Sequence, residues 1–114
     1  MSRKSSHPGA RLRAQAYIFA ALGDETRLAL VAKLADGRPH SISHLTRGTR
    51  LTRQAVTKHL RVLESAGIVR CERAGRESLF EFNPKPILGL KEYIELVSGE
   101  WDQALGRLKN LVER

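Results

Sequence analysis

The chain has 114 residues, with 20 Lys plus Arg against 12 Asp plus Glu and a formal net charge of +8. That length suits one small domain, which buries a limited share of its surface and gains from oligomerisation, while the basic excess favours nucleic acid or an anionic surface as partner. The lack of a long apolar run or hydrophobic N-terminal core argues against a membrane span or signal peptide, and the single cysteine excludes an internal disulfide, so the expected location is a reducing cytoplasm.

The charge is unevenly placed. Residues 1–13 carry Arg3, Lys4, Arg11 and Arg13 and no acid. Residues 41–80 carry eight basic side chains against three acids, whereas five of each balance from Pro84 onward. Residues 1–9 (MSRKSSHPG) read as a disordered basic arm, either inert or touching phosphates. A single domain is expected over 10–114. Its first helix, 10–22, is alanine-rich with Leu12, Ala16 and Phe19 on one side. Gly23 breaks it and Asp24 caps a second helix running to about Asp36, whose apolar stripe is Leu28, Val31, Leu34 and Ala35. Gly37 and Pro39 stop that helix.

Residues 41–66 carry a helix-turn-helix pattern. A short supporting helix spans 41–47. Thr52 is a good N-cap for the next, and Leu51 with Val56 can form a hydrophobic staple. Val56, Leu60 and Leu63 repeat at the spacing of one buried face, and Gly67 terminates the run. The other face presents Arg53, Gln54, Thr57, Lys58 and Arg61. Forked and amide donors suit base edges and cations suit phosphates, as in a recognition helix. The bland alternative is a solvated basic face.

Residues 68–82 read as a two-stranded wing. IVRCER alternates apolar and polar residues, AGR turns, and ESLFEF returns with Phe80 and Phe82 on one face. Cys71 is expected to be buried. Arg73 and Arg76 sit at the tip, suited to the DNA backbone or minor groove. In the last helix, 86–112, Ile87, Leu90, Ile94, Val97, Trp101, Ala104, Leu108 and Leu111 recur at alternating intervals of three and four, a heptad seam. At about 39 Å, this helix is too long for so small a domain to cover. A partner subunit is expected to cover part of it, aided by the first helix. The expected dimer interface comprises Leu12, Phe19, Ile94, Val97, Trp101 and Leu108.

The order of elements, with DETR at 24–27, AVTKHLRVLESAGIV at 55–69 and AGRESLFEF at 74–82, resembles the ArsR-type winged helix-turn-helix repressors over 17–111. The resemblance implies a mainly α fold of about five helices with a small two-stranded wing, dimerising through its terminal helices. It also implies a transcriptional regulator, often released by a ligand. Arg50 departs from the glycine usual in the inter-helix turn. Many relatives sense metals, but Ser41 and Ser43 resemble the positions of the family's cysteine pair, and the last helix has neither histidine nor cysteine. The histidines are scattered: His7 in the arm, His40, His44 and His59. His40 precedes the supporting helix and is not expected to share a face with His44. No metal or cofactor is therefore expected; the trigger, if one exists, would be an organic ligand, a partner protein or the protein's own concentration.

No glycine-rich phosphate loop, H-E-x-x-H or C-x-x-C motif occurs, so an enzyme is not expected. The leading expectation is a sequence-specific, homodimeric repressor of a near-palindromic operator in double-stranded DNA. Arg53, Gln54 and Thr57 would read bases; Thr52, Lys58, His59, Arg61, Arg73 and Arg76 would meet the backbone. The alternatives are a winged-helix protein-interaction module and a non-specific architectural DNA binder.

Overall fold

A computed structural model describes residues 8–113. In chain order it contains α1 (Pro8–Leu22), α2 (Glu25–Leu34), β1 (His40–Ser41), α3 (Ile42–Thr46), α4 (Arg53–Ser65), β2 (Val69–Ala74), β3 (Glu77–Phe82) and α5 (Lys85–Val112). The arm expected over 1–9 lies mostly outside the described residues. Pro8 and Gly9 instead begin α1, where the missing proline N–H is no loss.

Each short helix starts on a side-chain cap. Asp24 accepts the Arg27 N–H at 3.0 Å, Ser41 Oγ accepts from His44 at 3.0 Å, and Thr52 Oγ1 accepts from Ala55 at 3.0 Å. These bonds satisfy N–H groups that have no partner inside the helix. At the end of α4, Gly67 adopts φ +77°. Its N–H donates to the Glu64 carbonyl (2.9 Å), and that of Ile68 donates to Leu63 (3.0 Å). This is the Schellman pattern, and a side chain at position 67 would be strained. Asn83 closes the same corner, its N–H donating to the Ile68 carbonyl at 2.8 Å and its amide to the Gly67 carbonyl at 3.0 Å.

One core gathers Leu30 and Leu34 of α2, Leu45 of α3, Val56, Leu60 and Leu63 of α4, Ile68, and Val69 and Phe80 of the sheet. Three sequence expectations need correction. The wing is not two-stranded: β1 pairs antiparallel with β3 (His40 opposite Phe80), giving the order β1-β3-β2. A two-residue strand is too short to show a period of two. The α2 stripe is centred on Leu30 and Leu34; Leu28, some 200° away from Leu30 at about 100° per residue, is 53% exposed. The helix also ends at Leu34, so Ala35 is an exposed cap rather than a core residue. Finally, Cys71 is half-buried beside the core rather than within it.

α5 runs far beyond this core. Leu90 is buried, but Trp101 is 64% and Leu108 57% exposed. The described residues extend over 67 × 41 × 21 Å, with a radius of gyration of 18.8 Å. A compact chain of this length would have about 13 Å. Leu12 and Phe19 of α1 are also exposed, as are Ile94, Leu105 and Leu111; Val97 is half-buried.

Phe80 is fully buried where α4 and all three strands meet. Phe80→Ala is expected to cost about 3–5 kcal/mol of stability, while Leu28→Ala stays within about 0.5 kcal/mol. Urea unfolding at fixed protein concentration distinguishes the two.

Candidate nucleic-acid interface

Burying Val56, Leu60 and Leu63 fixes how α4 is rotated. The opposite side then presents Arg53, Thr57 and Arg61 in one row and Gln54 and Lys58 in the next, as residues four apart must lie. Arg53, Gln54, Lys58 and Arg61 are exposed and Thr57 is half-buried. With Thr52, the first two turns line an open concavity of about 670 Å³. Among the described residues, Arg53, Gln54 and Lys58 have no side-chain hydrogen bond or ion pair, so their donors face outward. Thr57 Oγ1 donates back to the Arg53 carbonyl at 2.7 Å, leaving its lone pairs as acceptors.

Arg61 is held differently. Its Nη1 bonds Glu64 Oε1 at 2.7 Å, and its guanidinium lies 5.4 Å from the Phe80 ring centroid. The Glu64 hydrogen bond, and then Cys71, raise its pKa further above the ordinary arginine value. Its charge remains on the outer face, but the fork is already engaged.

His59 does not lie on this face. It sits toward α2, where its Nδ1 is 3.2 Å from Arg27 Nη1 and 3.8 Å from Asp24 Oδ2. At about 100° per residue it falls next to Leu63, on the buried side. Arg27 also donates through Nε to the Ala21 carbonyl (2.6 Å) and through Nη2 to that of Ala20 (3.4 Å). Guanidinium has no acceptor, so the bond to His59 requires a neutral ring with Nδ1 accepting. Asp24 is held below the usual carboxylate range, chiefly by the Arg27 N–H, against some desolvation. The DETR motif signalled this cluster, although no residue type in it announced the partner on α4.

A second cluster overturns the expected separation of His40 and His44. β1 lays the His40 ring along the first turn of α3, so that the rings stack with centroids 4.8 Å apart and Nδ1 atoms 2.8 Å apart. His40 Nε2 bonds the Asp36 carboxylate at 3.0 Å. Among the described residues no group of three or more His, Cys, Asp or Glu is placed to hold one metal ion.

The wing tip turns at Gly75, φ +64°, between Ala74 and its partner Glu77. Arg73 and Arg76 are exposed there. No described helix is long and apolar enough to cross a membrane.

A supporting helix, an outward-facing recognition helix and a basic wing together define a winged helix-turn-helix DNA-binding regulator. Residues 22–72 match a family model described as a helix-turn-helix domain. The chain is 39% identical over 85 residues to the uncharacterized HTH-type transcriptional regulator YuzN of Bacillus subtilis, covering 68% of this chain and 92% of that protein. It is 34% identical over 94 residues to the HTH-type transcriptional regulator Rv2034 of Mycobacterium tuberculosis, covering 82% and 83%. Among solved structures, an ArsR-like regulator from Rhodococcus sp. RHA1 superposes with a TM-score of 0.79 at 30% identity, covering 90% of this chain and 95% of the other. The homodimeric winged helix-turn-helix domain Mb0332 of Mycobacterium bovis shares the fold, with a TM-score of 0.66 at 23% identity and coverage of 88% and 92%. The chain belongs to the ArsR family of transcriptional regulators.

The Asp36 carboxylate carries a measurable signature. The Arg38 N–H, and then His40, lower its pKa from 3.8 to about 2. A depressed carboxylate stabilises the fold above its unfolded pKa, about 3.9, and that contribution is lost as pH falls through the folded value. Wild-type stability should therefore decline between about pH 4 and 2 more steeply than that of Asp36→Asn. Chemical unfolding across that range checks the difference in slope.

Proposed function

We propose that the chain is a homodimeric, sequence-specific repressor acting on a near-palindromic operator. The observation that carries this reading is the exposed, unpartnered row of donors on α4, set on a helix whose other face is fixed by the core. In the dimer, two such helices enter successive major grooves about one helical turn apart. Gln54 and Thr57 read base edges, while Lys58, Arg61 and Arg73 neutralise phosphates. Residues 10–114 act as one domain.

The second copy seats on the apolar sides of α1 and α5. Leu12, Phe19, Ile94, Val97, Trp101 and Leu108 are the residues proposed to be covered. The projecting half of α5 supports this, because its own domain leaves most of that stripe in water. The homodimeric Mycobacterium bovis neighbour has the same fold. A protein-interaction module is disfavoured by the retained cations on α4.

Selection of bound duplexes from a random pool tests the reading. A shared motif is expected, with affinity falling steeply in salt as counterions are released. Gln54→Ala should relax preference at one base position by roughly 1–3 kcal/mol; an equal loss on operator and random duplexes would remove its base-reading role. Trp101→Asp places a charge in the proposed interface, where burial without a partner is costly. Light scattering should show monomers or unfolding, with operator binding lost. A wild-type protein that is monomeric at micromolar concentration would contradict the dimer.

A further inference from the structure

Beside the recognition helix lies a second, narrower cleft of about 250 Å³. Three elements line it: Ser41 and Ser43 around the start of α3, Arg53 at the start of α4, and Arg76 with Ser78 on the wing. Arg53 and Arg76 are both exposed, and neither has an ion pair or side-chain hydrogen bond among the described residues. Glu77 also lines the cleft, yet it forms no salt bridge with either arginine. Two arginines and one carboxylate, Glu77, thus border one polar cleft, and neither guanidinium is ion-paired with that carboxylate. Arginine's planar fork suits phosphate oxygens, and serine hydroxyls can donate to them.

We infer that this cleft grips a single phosphodiester of the DNA strand passing between recognition helix and wing. The inference rests on the proposed DNA-binding function. Arg53 and Arg76 hold the phosphate from opposite sides, one from the helix and one from the wing, and Ser43 and Ser78 supply further donors. Arg53, expected from sequence to read a base, is thereby a positioning residue. Phosphate contacts of this kind fix register on the duplex without carrying sequence information. The consequence is that the wing and α4 are locked to one strand at one point, so that Gln54 and Thr57 meet the base edges in a set register.

The test uses the full chain and four proteins: wild type, Arg53→Ala, Arg76→Ala and the double variant. Both positions are exposed, and unchanged unfolding curves establish that folding is intact. Affinities for the selected operator and a scrambled duplex are followed by fluorescence anisotropy over a range of salt. Each single change should weaken both duplexes by the same factor, leaving their ratio unaltered. The double variant should flatten the log–log salt slope by about 0.9 in all, the value for one phosphate. A flattening of about 1.8 would mean two separate phosphates and would overturn the shared grip. A change of base preference at one position in Arg53→Ala would restore it as a base reader and likewise overturn the proposal. A scan of single methylphosphonates then locates the contact: one position should weaken wild type and leave the double variant unaffected. Saturable competition by low-millimolar inorganic phosphate at constant ionic strength would mark a free-anion site instead and contradict the inference. Failure of wild type to bind any duplex would overturn the DNA-binding reading as well, whereas additive slopes with binding intact overturn only the shared phosphate.

Discussion

The guanidinium of Arg27 joins three helices. It donates to the carbonyls of Ala21 and Ala20 at the end of α1, and to His59 on α4, while its own backbone N–H is bound by the Asp24 cap of α2. The last carbonyls of a helix have no partner within it, and here a charged side chain supplies one for two of them. α1 carries part of the apolar surface proposed to meet a second copy, and α4 carries the row of donors proposed to face DNA. Arg27 therefore ties the two together, beside the packing of Ile18, Ala21 and Leu22 against the shared core. The same geometry turns the His59 ring toward α2, with its Nδ1 engaged by Arg27, rather than into the row of Arg53, Gln54 and Lys58.

Phe80 is the second constraint. It pairs with Cys71 on β2 and His40 on β1, so the wing is continuous with the segment that leads into α3. Arg61 lies over the same ring and reaches Glu64 one turn on. Recognition helix, supporting helix and wing are thus packed around one aromatic side chain. That small core is used up holding these elements. Little apolar surface is left to cover α5, and the projecting half of that helix, with Trp101, Leu105 and Leu108, stays in water in the single chain.

Much of this was legible in residue order. Periodicity located α4 and its buried triplet Val56, Leu60 and Leu63, since the core accepts only one face of that helix. Thr52 and Gly67 marked its ends because capping is local chemistry. The long seam of α5 was visible for the same reason as α4. What escaped were features that depend on contacts distant in sequence. β1 has two residues and owes its existence to its pairing with β3. α2 is only ten residues long, and its apolar residues fit a stripe through Leu28 about as well as the one the core selects, through Leu30 and Leu34. The Arg27–His59 bond spans 32 positions, and the cleft between Arg53 and Arg76 spans 23; spacing carries no trace of either. His40 lies outside the helix and so reads as separate from His44, yet the strand that holds it turns its ring onto that of His44.

In the proposed homodimer, two α4 helices occupy successive major grooves on one face of the DNA. Hydroxyl-radical footprinting on a selected operator measures this directly. Two equivalent protected patches are expected, related by a dyad and centred about ten base pairs apart, with cleavage between them retained on the opposite face. A single protected patch, or protection spread evenly along the duplex, would contradict that arrangement.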